Sequence, residues 1–450
     1  MTHPTSGPPP FSPALLTDLY ELTMLQAYVE EGMNDTAVFS LFVRRLPKRR
    51  SYLLACGLDD TLEFLESLHF DDAALEYLAS LQRFSDQFLE YLARLRFTGD
   101  VYAVPEGTPV FANEPILEVV APIAEGQLVE SAVMNRIHVQ TLLASKAARV
   151  VEAAQGRQVV DFGLRRMHGT DVAVTAARAF HIAGVDATSN VAAGQRYGLP
   201  VAGTLAHSYI QAHDDEYEAF RAFAHLYPET VLLVDTYDAR AGIENVVRLA
   251  REIGSDFKVS AVRLDSGDLL ALSVASRRRL DEAGLSAVRI FASGSLNEDS
   301  IAKLIAAGAP IDGFGVGTDM GVSADAPSLD IAYKLVDYAG RGRVKLSPGK
   351  AVLPGRKQVF RIETNGMADH DVLGRHDESV SGRPLLHRVM RAGTRVPESR
   401  VPLDQAKTYA RLERDRLPAR LRSISPPTPP YRVAISDALT RDLIALARPR

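Results

Sequence analysis

The chain has 450 residues, of which 46% are hydrophobic and 24% charged. This length predicts about two or three domains, and the composition excludes a disordered, collagen-like or low-complexity protein. The formal net charge is only -5, so no general electrostatic attraction to nucleic acid or to an anionic membrane is expected. An anionic ligand would therefore need a local cluster of cationic groups.

The cysteine content and the lack of long apolar segments indicate the cellular compartment of the protein. Cys56 is the single cysteine, which excludes an intrachain disulfide, and no Cys/His spacing typical of a zinc site occurs. The Pro-rich N-terminus has no basic segment followed by an apolar run, and no window of about 18 apolar residues is present. We therefore expect a cytoplasmic protein with no membrane and no nucleic-acid partner.

The first part of the chain predicts an α+β domain over 14–155. Apolar residues recur at helical spacing in several segments, while Gly and Pro divide others into short extended runs. In chain order we expect a disordered leader, a helix, a strand, two or three amphipathic helices, hairpin-like strands and a long helix, at 1–13, 15–31, 37–46, 58–95, 99–120 and 127–154.

From residue 157 onward, short apolar runs alternate with amphipathic stretches of helical length, which is typical of βαβ units around a parallel sheet. The runs are QVVDFGL, GVDATS, PVAGTL, VLLVDTY, VSAVRLDS, VRIFASGS and IDGFGVGT, with IAYKLV as a candidate eighth. This number favours a closed barrel over an open doubly wound sheet. The predicted class is α/β: an irregular (β/α) barrel over 156–345, preceded by the α+β domain and followed by a small C-terminal appendage over 346–450.

Polar residues gather where the predicted strands end. Because the carboxyl ends of parallel strands in a (β/α) barrel form one rim that carries the active site, this gathering predicts an enzyme. Any one of these residues could instead belong to a loop or cap a helix. The set is Arg165, Arg166, Thr188, Ser189, Asn190, Thr204, His207, Ser208, Asp235, Thr236, Arg263, Asp265, Ser266, Asp268, Ser293, Gly294, Ser295, Gly315, Gly317 and Thr318.

The residue types at this rim favour an anionic ligand. Arg165, Arg166 and Arg263 carry guanidinium groups suited to carboxylate and phosphate. The loops at 293–295 (SGS) and 313–318 (GFGVGT) would let backbone N–H groups approach a phosphate. Glycines are also required in tight βα turns, so these loops alone are weak evidence.

Acidic and imidazole side chains at the rim add further candidates. Asp235, Asp265 and Asp268 could hold Mg²⁺ through water beside a polyphosphate, whereas Asp265 and Asp268 could instead cap the following helix. His207 precedes a helix that starts near Ser208, a setting in which an imidazole can act as acid, base or nucleophile. A purely structural histidine is the alternative.

Nine spaced segments carry motifs of one family. They are TDLYELTM (17–24), FVRRLP (42–47), DFGLRRMHG (161–169), TSNVAAGQRYGLPVAGTLAHSYIQ (188–211), LVDTYD (233–238), VRLDSGDL (262–269), ASGSLNE (292–298), GFGVGT (313–318) and YKLV (333–336). Over about residues 14–360 the chain resembles nicotinate phosphoribosyltransferases. The resemblance implies ATP-assisted transfer of phosphoribose from phosphoribosyl pyrophosphate to nicotinate, giving nicotinate mononucleotide and pyrophosphate in NAD biosynthesis.

The resemblance also implies residue roles. His207 is the expected phosphohistidine, with Asp235 and Arg263 as further catalytic residues. Nicotinate is expected to meet Arg263, Thr204 and the stacking ring of Tyr20. The expected contacts of phosphoribosyl pyrophosphate are Arg165, Asp235, Ser293, Gly294, Gly315 and Gly317. ATP is the implied co-substrate and Mg²⁺ the implied cofactor, with Asp265 and Asp268 as its candidate ligands.

Two positions depart from the family pattern. Asp161 stands before FGLRR where Glu is common, and this shorter acid could alter an orienting contact. Val352 stands before Leu-Pro-Gly, where some members carry a hydroxyl residue associated with the sugar pyrophosphate.

Because Tyr20 lies far from the barrel in sequence, the resemblance also implies a homodimer with shared active sites.

Two alternatives remain open from the sequence. A nicotinamide or quinolinate phosphoribosyltransferase would differ in the number of guanidinium groups that face the pyridine ring, since nicotinamide has no carboxylate and quinolinate has two. A barrel that binds nucleotides without turnover is the alternative from another class of protein. Retention of His207, Arg165, Asp235 and Arg263 argues against such a binding protein.

Overall fold

The computed structural model describes residues 12–345, 352–425 and 429–447. The chain forms two compact units that interleave along the sequence. The first comprises Met1–Thr141, Ser328–Leu421 and Pro427–Arg450, and the second comprises Leu142–Pro327 and Arg422–Pro426. The contiguous domains expected from the sequence therefore differ from these units. The predicted leader over 1–13 lies outside the described residues except at its last two positions.

The N-terminal elements are a mixture of helices and short strands, as predicted. They are α1 (Leu19–Glu30), β1 (Thr36–Val43), β2 (Leu53–Leu54), α2 (Leu58–Ser67), α3 (Asp72–Ser80), α4 (Asp86–Arg94), β3 (Asp100–Ala103), β4 (Pro109–Val110), β5 (Pro115–Pro122), α5 (Ile123–Leu128) and α6 (Glu130–Ala154). Helix α1 begins later than predicted because its N-cap residue Asp18 is extended, and a separate turn of 3₁₀ helix covers Pro13–Leu15.

The central elements alternate as expected for a βα repeat. They are β6 (Gln158–Asp161), α7 (Thr170–Ala183), β7 (Ala187–Thr188), α8 (Val191–Tyr197), α9 (His207–Gln211), α10 (Glu216–Leu226), β8 (Val231–Leu233), α11 (Ala239–Ile253), β9 (Ala261–Leu264), α12 (Leu269–Glu282), β10 (Arg289–Ala292), α13 (Glu298–Ala306), β11 (Gly313–Val316) and α14 (Thr318–Gly321).

The strands β6 to β11 form one parallel sheet of six, in the order β7-β6-β11-β10-β9-β8. Its edge strands β7 and β8 are not paired with each other, so the predicted irregular (β/α) barrel is present as a half-barrel and not as the closed barrel that the number of apolar runs favours. The run PVAGTL adds only an isolated parallel bridge between Val201 and Thr188. Pro200 cannot donate to a ladder and Gly203 weakens a strand, which explains the missing strand.

The C-terminal elements begin with the candidate eighth run. They are β12 (Ile331–Tyr338), β13 (Arg341–Gly342), β14 (Lys357–Thr364), β15 (Met367–Arg375), β16 (Arg383–Pro384), β17 (His387–Arg391), β18 (Thr394–Arg395), α15 (Leu403–Asp415), α16 (Ala419–Arg422), β19 (Val433–Ile435) and α17 (Asp437–Leu446). Strand β12, which contains IAYKLV, pairs antiparallel with β1 and not with the parallel sheet. The eighth barrel strand is therefore a wrong prediction.

The first unit is organised around antiparallel strands from both ends of the chain. Its seven-stranded sheet has the order β13-β12-β1-β5-β3-β17-β18, and its four-stranded sheet has the order β16-β14-β15-β19. Because β17 pairs with β3, the expected C-terminal appendage contributes to the same sheet as the N-terminal strands. Within the described residues, no helix is both long and apolar enough to span a bilayer.

Candidate active site

His207 is positioned by the loops that follow strands β8 and β9. It is the first residue of α9, after the extended residue Ala206. Its Nδ1 lies 3.1 Å from the hydroxyl oxygen of Thr236, which is a hydrogen bond. Its Nε2 lies 3.6 Å from Asp265 Oδ2, which is too long for one. The imidazole is therefore fixed on one side, with its other nitrogen beside a carboxylate.

Asp235 follows β8 and organises the loop after β9. Its Oδ2 accepts hydrogen bonds from the Asp265 backbone N–H at 2.8 Å and from the Ser266 hydroxyl at 2.7 Å. Its Oδ1 is buried and has no hydrogen-bonding partner in the described part of the chain. Because a buried acceptor without a partner is costly, Oδ1 suits a ribose hydroxyl or a hydrated cation.

The two predicted metal ligands have different settings. Asp265 accepts a hydrogen bond of 2.5 Å from the Ser293 hydroxyl, which connects the loops after β9 and β10. Asp268 caps α12, because its carboxylate accepts from the backbone N–H groups of Leu270 and Ala271, each at 3.1 Å. Across the described ranges, no group of three or more His, Cys, Asp or Glu is arranged to hold a metal ion.

Arg263 and Thr204 meet at one backbone carbonyl. The Leu205 oxygen accepts from Arg263 Nη2 at 3.1 Å and from the Thr204 hydroxyl at 3.1 Å. Burial lowers the pKa of Arg263, although Asp265 and Asp235 oppose that shift. Thr204 also lines a cavity of about 190 Å³ together with Phe162, so the two predicted nicotinate contacts lie close together.

Arg165 and Arg166 lie in a short 3₁₀ helix after β6 and are exposed. Arg166 Nη1 donates to the Thr318 hydroxyl at 3.1 Å, at the end of the GFGVGT loop. The start of this segment is held by Asp161, whose carboxylate accepts from Gly163 N–H at 2.8 Å and from the Thr188 hydroxyl at 2.7 Å. Burial raises the pKa of Asp161, while these two hydrogen bonds oppose the rise.

The predicted glycine loops are packed tightly against neighbouring backbone and rings. A Cβ on Gly294 would lie 1.8 Å from the Asp265 carbonyl oxygen, and its φ is +88°. A Cβ on Gly315 would lie 2.4 Å from the Phe162 ring, and one on Gly317 would lie 3.0 Å from the Phe162 carbonyl oxygen. The lack of room for a Cβ atom therefore explains the glycines at Gly294 and Gly315 without any ligand. That these two loops bind phosphate stays a prediction.

Tyr20 is the predicted site residue that belongs to the first unit. It lies on α1, is 46% exposed, and borders a pocket of about 600 Å³ that Glu130 and His138 also line. Partial burial, followed by the charge of Glu130, raises the pKa of its phenol. The ring is therefore neutral, exposed and available for stacking on a ligand.

Comparisons with known proteins cover nearly the whole chain. A model described as the nicotinate phosphoribosyltransferase N-terminal domain matches residues 15–138, and one described as the quinolinate phosphoribosyl transferase C-terminal domain matches residues 143–334. A nicotinate phosphoribosyltransferase of Mycobacterium tuberculosis is 55% identical over 433 residues, which are 96% of this chain and 94% of that protein. The chain belongs to the nicotinate phosphoribosyltransferase family.

Two further family members extend this result. A nicotinate phosphoribosyltransferase of Bacillus subtilis is 43% identical over 383 residues, covering 83% of this chain and 78% of that protein. The crystal structure of the human nicotinic acid phosphoribosyltransferase superposes with a TM-score of 0.86 at 29% identity, covering 96% of this chain and 100% of that one. The resemblance and fold class predicted from the sequence are confirmed.

The structure clarifies the two departures from the nicotinate phosphoribosyltransferase pattern. Val352 is buried in an apolar cluster with Val38, Phe42 and Val336, so its side chain serves packing. Asp161, despite its shorter side chain, makes the two hydrogen bonds described above. Here the departure at the acidic position retains an orienting role.

Sequence reasoning missed Phe162. Its ring centroid lies 6.0 Å from the guanidinium carbon of Arg263, and it lines the same cavity as Thr204. The ring also fills the space that a Cβ atom at Gly315 would need. An aromatic residue directly after a predicted strand, within the family motif DFGLRR, was the available signal. Phe162 thus forms part of the cavity wall.

Proposed function

We propose that this chain transfers phosphoribose from phosphoribosyl pyrophosphate to the ring nitrogen of nicotinate, forming nicotinate mononucleotide and pyrophosphate, with ATP as a co-substrate. Identity of 55% over 96% of the chain to a relative of that name supports the substrate. The observation that carries the mechanism is the convergence of His207, Thr236, Asp235, Asp265 and Ser293 at one end of the parallel sheet.

In this mechanism, ATP phosphorylates the imidazole of His207. A ring nitrogen attacks the γ-phosphorus, the N–P bond forms as the bond to the β,γ-bridging oxygen breaks, and ADP leaves. Nε2 is the candidate nitrogen, because Nδ1 is engaged by Thr236. Hydrolysis of the phosphohistidine after the sugar transfer would drive the overall reaction toward product, and no step needs a second protein nucleophile.

The sugar transfer separates charge at the anomeric carbon. As the pyridine nitrogen attacks C1′ and the bond to pyrophosphate breaks, positive charge develops on the ribose and negative charge on the leaving group. The unpartnered Oδ1 of Asp235 supports the ribose or a hydrated Mg²⁺. When bound, Mg²⁺ would stabilise the departing pyrophosphate. Arg165 is the candidate contact of the anionic groups, and the Gly294 and Gly315–Gly317 loops are candidate cradles for the 5′-phosphate.

The Mg²⁺ site is proposed with a changed ligand set. Asp235 and Asp265 fit a water-mediated site, because Asp235 Oδ1 is buried without a partner and Asp265 faces His207. Asp268 fits less well, since its carboxylate oxygen already accepts two backbone N–H groups. The acidic groups that remain can hold a hydrated ion but do not form a complete protein cage.

Nicotinate selection rests on one guanidinium. Arg263 is half-buried near Thr204 and Phe162, so a single carboxylate on the pyridine ring can pair with it. Tyr20 is proposed to stack on the same ring, either through packing of its own chain or from a second copy in a homodimer. The active sites of such a dimer would be shared.

An acceptor comparison tests this function. Purified protein, phosphoribosyl pyrophosphate and Mg²⁺ are incubated with nicotinate, nicotinamide or quinolinate, each with and without ATP, and the mononucleotides are quantified. We expect product from nicotinate, with stimulation by ATP. A preference for quinolinate, whose enzyme names the model matched at 143–334, or for nicotinamide would overturn the proposal, and no turnover of any acceptor would indicate a binding protein.

A further inference from the structure

A buried cationic cluster in the second unit lies outside the chemistry described above. Lys146, on α6, has a side chain only 2% exposed, and its Nζ lies 2.6 Å from Glu298, 2.6 Å from Asp319 and 3.1 Å from Asp325. Arg149, one turn further along α6, pairs with Glu298 at 3.0 Å. One ammonium thus contacts three carboxylates.

Two of the three carboxylates around Lys146 come from helices that follow the two glycine loops. Glu298 is the first residue of α13, which begins after the 293–295 loop and its Asn297 cap. Asp319 is the second residue of α14, which begins after Gly317. Lys146 therefore connects the ends of both loops to the same helix.

The charges favour a fixed arrangement of this cluster. Burial by itself would lower the pKa of Lys146, but Glu298, Asp319 and Asp325 together raise it, so the ammonium stays charged. Ion pairs in a poorly solvated interior are screened far less than surface pairs and depend strongly on geometry. Movement of either loop end would lengthen a contact to the buried ammonium of Lys146.

We propose that Lys146 is a positioning residue that holds the two glycine loops at the spacing needed to bind the 5′-phosphate of phosphoribosyl pyrophosphate. This inference rests on the proposed function, which assigns the phosphate to these loops. Lys146 itself does not touch the substrate, and its effect passes through Glu298 to the Gly294 loop and through Asp319 to the Gly315–Gly317 loop. The amides of both loops are thus oriented before the substrate arrives.

The test uses Asp319→Asn, because removal of Lys146 would leave several buried carboxylates with one fewer cation and could prevent folding. Asp319 is the most exposed member of the cluster, at 25%, and Lys146 keeps Glu298 and Asp325 in the variant. We expect the KM and the calorimetric Kd for phosphoribosyl pyrophosphate to rise about 10-fold or more, as small displacements of substrate-positioning groups do. The KM for nicotinate and the labelling of His207 by ATP should stay unchanged.

Asp312→Asn is the matched control. Asp312 directly precedes β11 and its Oδ2 accepts from the Ile290 N–H at 2.8 Å, so the same charge is lost at the opposite end of the same strand. The control should keep the wild-type KM for phosphoribosyl pyrophosphate. Equal KM values in both variants and the wild type would overturn the inference, as would a joint rise in both substrate KM values with a lower melting temperature.

The two levels of proposal can fail separately. If the wild type binds phosphoribosyl pyrophosphate but converts no nicotinate, the proposed function is wrong, and the calorimetric comparison of Asp319→Asn with Asp312→Asn still decides the role of the loops. If the wild type is active and Asp319→Asn binds phosphoribosyl pyrophosphate as well as the wild type does, the role of Lys146 is wrong. A wild type that does not bind this substrate overturns both.

Discussion

The imidazole of His207 is held through Nδ1, which lies 3.1 Å from the hydroxyl oxygen of Thr236. The tautomer of a histidine is set by the hydrogen bond that one ring nitrogen makes. When Nδ1–H donates to Thr236, the lone pair of Nε2 is free to attack phosphorus. In that tautomer, Nε2 is the nitrogen available to act as the proposed nucleophile.

Incubation with γ-labelled ATP should place acid-labile phosphate on Nε2 of His207. The label and the stimulation by ATP should both be lost in His207→Ala, because the proposed mechanism has no other acceptor for the phosphoryl group. His213→Ala is the control, since His213 Nδ1 contacts the Tyr209 carbonyl oxygen at 2.8 Å and has no part in the site. Mapping by mass spectrometry checks the position, and label elsewhere would contradict the mechanism.

Replacement of Thr236 by Val should slow the labelling of His207 about 3- to 10-fold, since a neutral hydrogen bond is worth about 0.5–1.5 kcal/mol. Thr236→Ser retains the hydroxyl and should label at close to the wild-type rate. Rapid-quench measurement of the phosphoenzyme provides the rates. A Val variant as fast as the Ser variant would show that the hydrogen bond has no role in the transfer.

Substitutions should show that Asp235 is a catalytic residue and that Asp268 has a structural role. Asp235→Asn should lower kcat/KM for phosphoribosyl pyrophosphate about 100-fold, because an electrostatic contact to the reacting sugar or its cation is lost. Asp268→Ala should leave this value unchanged and lower the free energy of unfolding by about 1 kcal/mol, as expected for loss of an N-cap. Steady-state kinetics and urea unfolding of both variants check this contrast, which a kinetic defect in Asp268→Ala would reverse.

If the active sites are shared across a homodimer, two chains with defects at different residues should complement each other. Tyr20→Ala should weaken nicotinate binding, and Tyr20→Phe should retain it because the stacking face remains. Co-expression of Tyr20→Ala with His207→Ala should restore about a quarter of wild-type activity, since about half of random dimers are mixed and each mixed dimer has one intact site. Absence of recovery in isolated mixed dimers would place Tyr20 in the site of its own chain.

The buried carboxyl group of Glu21 should make the folded protein less stable as the pH rises. Its side chain is fully buried, and burial raises its pKa from 4.5 to about 7, although hydrogen bonds from Ser131 and Thr17 oppose the rise. The folded state then binds a proton that the unfolded state releases, so its stabilising contribution is complete below pH 4.5 and is lost as the pH rises to about 7. The loss should amount to about 1–3 kcal/mol.

Glu21→Gln tests this dependence, because the amide stays uncharged and its oxygen can still accept from Ser131. Urea unfolding across the same pH range should show a stability difference between the two proteins that changes up to about pH 7 and is constant above it. The variant should be the more stable protein at the higher pH values. Parallel curves for wild type and variant would show that Glu21 ionises normally.

Much of the fold could be read from local patterns. The periodicity of 58–95 and the runs that became β6 to β11 describe elements whose type depends on nearby residues. The pairing partner of β12 could not be predicted from local patterns. Its segment IAYKLV has the apolar character of the parallel-sheet runs, but it pairs with β1. A strand pattern does not specify which partner it joins.

The sequence by itself determined the family, the βα repeat and the polar residues at the strand ends, since motifs and hydrophobic periods are local properties of the chain. Only the tertiary structure decided that the sheet is a half-barrel and that Asp268 caps α12. It alone also placed Lys146 beside Glu298 and Asp319. Ion pairs and strand pairing depend on distances between residues far apart in sequence, and chain folding sets those distances.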